Sequence, residues 1–190
     1  MASTPDRLYF TDDDEACRLL ADDPFALLVG FALDQQITVQ QAFAGPLRLL
    51  QRLGTLDPGA VAATDPARLE ELFREKPAIH RFPGAMAARV QGLAAAVAAD
   101  YGGRAERIWT EAADTADLSR RIGALPGFGE MKVKALGSVL ARRFGVTAAE
   151  ALLPGHRMLG DVDSPQALLN YQAEKRARKA SLRAAKAASS

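Results

Sequence analysis

Two short stretches hold residues able to act on a phosphate-bearing partner. The first is Leu125-Pro126-Gly127-Phe128-Gly129. Upstream, Leu118, Ile122 and Leu125 recur at helical spacing, and downstream Val133, Leu136, Val139, Leu140 and Phe144 do the same. Pro126 cannot continue the first helix, and Gly127 and Gly129 permit backbone angles closed to other residues. Arg142 and Arg143 suit the last turn of the second helix and Gly145 its C-cap. The expectation is a tight helix–hairpin–helix over 118–144 whose second helix opens with unpaired amide N–H groups. Such a helix start attracts phosphate through hydrogen bonds and the helix dipole, which grips a nucleic-acid backbone without reading its sequence. Lys132 and Lys134 read as further phosphate contacts. The same spacing also suits an ordinary tight turn between two packed helices.

The second stretch is Asp34-Gln35-Gln36, which ends the apolar segment Phe25 to Leu33. Uncharged amides at the end of a buried helix can hydrogen-bond base edges without the cost of burying a charge. They could equally cap helix ends.

The elements that must position these stretches read as helices throughout. Asp22-Asp23-Pro24 places a cap and a proline before Phe25 to Leu33, which is apolar nearly all round and belongs at the centre. Thr38 opens a helix to about Leu53, with Val39, Phe43, Leu47 and Leu50 inward. Asp57-Pro58 and Thr64-Asp65-Pro66 start short helices, the second carrying Leu69, Leu72 and Phe73. Lys76, His80 and Arg81 fall in a loop, where a lone histidine is expected at the surface. A long helix follows from Phe82-Pro83 to about Tyr101, stopped by Gly102-Gly103. Trp109 reads as packing between helices. Asp12-Asp13-Asp14-Glu15 starts a first helix that would face away from a polyanion, and Leu8-Tyr9-Phe10 would dock on the core. No sheet signal, repeat or zinc-ligand spacing is present. The expected fold is all-α: two helical lobes with a cleft between them, the hairpin on one wall and the glutamine turn opposite.

Charge is uneven along the chain. Its 190 residues carry +1, but the segment from Tyr171 onward has six basic residues against Glu174, a net +5, which leaves −4 for the first 170. This division gives a main domain over 1–170 and a basic tail over 171–190, read as a helix that frays into a disordered Ala-Ala-Ser-Ser. A basic tail adds salt-sensitive attraction to nucleic acid, or serves only as a solubilising terminus. Cys17 is the single cysteine, which rules out an internal disulfide and a four-cysteine iron–sulfur cluster, and makes a reducing cytoplasm the default. Met1-Ala2-Ser3 does not open a secretory signal, and no segment is apolar enough to span a membrane.

Leu125 to Ala135 resembles the hairpin of the helix–hairpin–helix (HhH-GPD) superfamily DNA glycosylases of base excision repair, whose signature is L-P-G-hydrophobic-G followed by a helix. Leu27-Leu28-Val29-Gly30-Phe31-Ala32-Leu33-Asp34-Gln35-Gln36-Ile37-Thr38 resembles the superfamily's early helix and turn, where one or two glutamines follow an apolar helix. The order and separation of the blocks also fit, and the resemblance runs from Asp23 to Asn170. It implies a monomer acting on double-stranded DNA with a damaged or mismatched base, without a cofactor, in the cytoplasm and near the nucleoid. Gln36 would be the wedge that fills the gap left by an everted base, with Gln35 beside it, and Leu125, Gly127, Phe128 and Gly129 would form the DNA-gripping hairpin.

The resemblance also implies a chemistry. Hydrolysing an N-glycosidic bond produces an oxocarbenium-like sugar, which a nearby carboxylate stabilises while orienting water, once the base has left the stack. In the superfamily that carboxylate is an aspartate beyond the hairpin. Here Asp163 is the first choice and Asp161 the second; His156 occupies the place in an alternative alignment through Leu153-Pro154, and Glu150 falls on a short solvated helix. Gly160 to Pro165 also reads simply as an N-cap turn with Asp163 or Ser164 as cap. Members that cut the strand use a hairpin-helix lysine as a Schiff base. Met131 stands at that position, and Lys132, one residue on, points about a quarter-turn or more away. The resemblance therefore implies a monofunctional glycosylase. A catalytically silent DNA-binding relative and a helical interaction module unrelated to DNA are the other two readings.

Overall fold

The computed structural model describes residues 4–188. Met1-Ala2-Ser3 and the Ser189-Ser190 end of the tail lie outside the described residues. Every regular element among the described residues is helical, so the all-α expectation holds.

Acidic caps and prolines start the helices of the first half. In α1 (Asp14–Asp22) the Asp13 carboxylate accepts the Ala16 amide, and in α2 (Pro24–Leu33) Asp23 accepts those of Phe25 and Ala26. Every residue of α2 from Phe25 to Leu33 is buried, as its uniform apolarity requires. Thr38 and Gln41 form a reciprocal capping box at the start of α3 (Val39–Leu53), which ends at left-handed Gly54. Gly30 lets α2 and α3 approach closely, since a Cβ there would lie 2.4 Å from Phe43 Cδ1. The Phe43 ring meets Phe31 and Phe10 edge-on, each at 5.1 Å. Burying each such ring contributes roughly 1.5–3 kcal/mol.

Asp57 and Asp65 cap α4 (Pro58–Ala63) and α5 (Pro66–Arg74). Both pack on α6 (Pro83–Tyr101), which also touches α2 and stops at left-handed Gly102. Short α7 (Arg107–Thr110) leads to α8 (Thr115–Gly123), the hairpin and α9 (Glu130–Phe144). Trp109 of α7 is buried beside Phe144 at the far end of α9. Two 3-10 turns, Thr147–Leu152 and Leu159–Asp161, fold back on α9 before α10 (Pro165–Ala188). One apolar cluster takes residues from all ten helices.

The basic segment from Tyr171 continues a longer helix: α10 runs from its Ser164 cap, whose hydroxyl accepts the Ala167 amide at 3.2 Å, to Ala188. The position 170/171 falls inside this helix, because Leu168 and Tyr171 pack on the core. Gln172 also exchanges side-chain amide hydrogen bonds with Gln40 of α3. His80, expected at the surface, is only 2% exposed.

Candidate active site

The hairpin is seated from below. Leu125 and Phe128 are each 4% exposed within the apolar cluster, so their side chains anchor the turn from inside and leave its backbone to face outward. The Phe128 amide closes the turn on the Leu125 carbonyl at 3.1 Å. Gly127 has φ +81°, which a side chain would strain, and a Cβ would meet Arg89 Cδ at 2.8 Å. Gly129 differs: its φ of −85° suits any residue, and nothing lies within 4 Å of the place a Cβ would take. Its lack of a side chain therefore leaves the helix end open to approach and is not a backbone requirement. No side chain caps α9, so its first amides remain for a partner from outside. Lys134 pairs with Glu130 at 2.7 Å on the exposed face.

The glutamine turn is held from the side. Asp34 ends α2, and Gln36 has φ +55°, the only positive φ of a non-glycine residue among the described residues. Holding it there costs on the order of 1 kcal/mol. His80 supplies the clamp. Its Nδ1 accepts the Phe82 amide at 3.0 Å, so Nε2 carries the proton and donates to the Gln35 carbonyl at 3.0 Å. Burial keeps this imidazole below its ordinary pKa and favours the neutral form that the two bonds need.

Hairpin and glutamine turn border one cavity of about 550 Å³, lined by Asp34, Gln35, Met131, Lys132, His156 and Tyr171 among others. Met131 lies at its mouth, 68% exposed. Lys132 does not point outward as a phosphate contact would. Its Nζ reaches across to the Ala32 carbonyl at 3.4 Å and stands 5.6 Å from the centre of the Phe128 ring. Burial, aided by the Arg89 charge, pushes the amine down to about 8, while Asp34 opposes the change. Burial, aided by Asp34, pushes the Tyr171 phenol up to about 12. A wider cavity of about 950 Å³ adjoins, lined by Gln36, His80 and Arg81; Asp34 and Lys175 border both.

The carboxylates expected beyond the hairpin stand elsewhere. Asp161 accepts the Met158 amide at 2.9 Å and faces Arg142 at 3.5 Å, closing its own 3-10 turn. Asp163 is exposed and Glu150 lies exposed in the first 3-10 turn; none of the three lines either cavity. His156 lines the smaller cavity from its exposed rim. Glu174, also at that cavity, is paired with Arg157 at 2.9 Å. Sequence reasoning passed over Asp34, although one signal pointed to it: a carboxylate ending a helix opposes the helix dipole. His80 and Tyr171 gave no comparable signal, because their partners come from distant segments.

An uncapped helix behind a glycine turn, facing a polar turn across a cavity, places the chain among helix–hairpin–helix proteins. The family described as HhH-GPD superfamily base excision DNA repair protein matches residues 29–180, and the chain belongs to that superfamily. No curated protein and no solved structure matches it.

Proposed function

We propose that the protein is a monofunctional DNA glycosylase, hydrolysing the N-glycosidic bond of a damaged or mismatched base everted from a DNA duplex. The observation that carries this reading is the shared cavity: Gln35 of the wedge turn and Met131 and Lys132 of the hairpin helix line the same 550 Å³ space. Its volume is ample for a nucleobase, with Phe31, Met158 and Tyr171 as walls on which a flat ring can rest. In this reading Gln36, exposed on its strained turn, enters the vacated stack, while the open start of α9 takes a phosphate. The protein works as a monomer at the nucleoid.

A second reading rests on Lys132. An amine pushed down to about 8 inside the cavity is in part unprotonated near neutrality, which suits attack on an abasic aldehyde and strand cleavage. Its hold on the Ala32 carbonyl supports the hydrolytic reading instead. Incubation with a panel of lesion duplexes, with and without borohydride, separates the two. Free base without a covalent protein–DNA adduct supports hydrolysis. An adduct lost in Lys132→Met supports the lyase. Absence of both would refute each of them.

A further inference from the structure

The reaction needs a carboxylate near the reacting sugar carbon, and those expected from the sequence are engaged or outside the cavities. Asp34 is neither. It sits at the C-terminal end of α2, where the helix dipole disfavours negative charge and no cap requires one. Its carboxylate makes no hydrogen bond or ion pair among the described residues. It borders both the cavity lined by Gln35 and Lys132 and the one beside Gln36, so it stands between the space proposed for the base and the turn proposed as the wedge. Its charge is felt by Lys132 on the hairpin side and by Tyr171 on the α10 side. A local choice that opposes helix stability and is used by no structural contact is the mark of a functional group.

Resting on the glycosylase reading, we propose that Asp34 is the catalytic carboxylate of this protein, taking the role assigned by resemblance to Asp163 or Asp161. In the step it serves, the C1′–N bond breaks and its electron pair leaves with the base, which takes a proton from solvent. Asp34 faces the cationic sugar that forms and aligns a water molecule. The water oxygen bonds to C1′, and its proton passes to the Asp34 carboxylate and then to solvent.

The test uses the full chain and the variants Asp34→Asn, Asp161→Asn and Asp163→Asn. One readout is base release from a lesion panel. The other is binding of duplexes carrying a cationic pyrrolidine abasic nucleotide or its neutral tetrahydrofuran counterpart, which needs no turnover. Wild type is expected to prefer the cationic site by about tenfold, or about 1.4 kcal/mol. Asp34→Asn should erase that preference, keep the neutral affinity and slow release on the order of 100-fold. If Asp34→Asn keeps both the preference and the release, and Asp163→Asn or Asp161→Asn loses them, the assignment falls while the glycosylase reading stands. If wild type releases no base from any lesion, the glycosylase reading falls and the assignment with it.

Discussion

Replacing Lys132 by methionine isolates the cost of holding an amine between the hairpin and the end of α2. Burial and Arg89 take the group from its usual 10.5 to about 8, equivalent at full strength to roughly 3 kcal/mol. The amine is only partly buried, so solvent screening leaves about 1–2 kcal/mol. Between pH 8 and 10.5 the unfolded chain binds a proton that the folded chain does not, so stability rises with pH through this window. Below 8 both states are protonated and the whole cost stands. Urea denaturation of wild type and Lys132→Met at pH 7, 8, 9 and 10 reads the difference directly. Wild type is expected to gain about 1–2 kcal/mol over the variant between pH 7 and 10. Tyr171 works in the opposite sense, since its stabilising contribution is present below pH 10 and is lost between 10 and about 12. The comparison therefore stops at 10. Parallel curves for the two proteins would show a solvated amine that does not occupy the cavity.

Gly160→Ala would push a Cβ to 2.1 Å from the Ser138 carbonyl oxygen, forcing the 3-10 turn off α9; a loss of about 3 kcal/mol and a drop of about 6 °C or more in melting temperature are expected, and a shift under about 2 °C would refute the packing. Gly129→Ala should leave stability within about 0.5 kcal/mol yet weaken binding to lesion and undamaged duplexes alike, whereas Gly127→Ala should lose both; a binding loss confined to one lesion would contradict a backbone grip. His80→Phe orphans the Gln35 carbonyl and the Phe82 amide, costing about 2 kcal/mol by chemical denaturation at pH 7. Because the His80 pKa is lowered in the folded protein, that stability is present above 6.5 and fades as pH falls through the folded value, so an unchanged wild-type minus variant difference between pH 7 and 5 would count against the clamp. Removing residues 176–190 deletes five basic residues and should flatten the dependence of duplex affinity on salt; an identical slope would free α10 of any electrostatic role.

The helices were legible because their signals are local. Asp13, Asp23, Asp57 and Asp65 each precede a helix they cap, and Gly102 and Gly145 end theirs in left-handed geometry. The cavity was less so, because its character depends on groups far apart in the chain. A separation of 45 positions between His80 and Gln35 hides a clamp that makes a loop histidine internal. Lys132 reads as a surface cation until α2 is laid 100 residues back against it. Gly129 shows the reverse error: a glycine in a turn suggests special angles, yet this one is distinguished by the open space before it. The point where the basic segment joins the core is hidden for a simpler reason, since the Gln40 amide that ties Gln172 lies on another helix.

The left-handed backbone at Gln36 has a kinetic meaning. A backbone that must be ordered on arrival of its partner draws that entropy from the binding energy, but the imidazole already holds this turn through the Gln35 carbonyl. On the proposed reading the glutamine would meet a duplex on a backbone already bent to shape, so a scanning protein could probe each base step without refolding its own tip. Changes that loosen the turn should be felt in how fast a defect is found more than in how tightly it is kept.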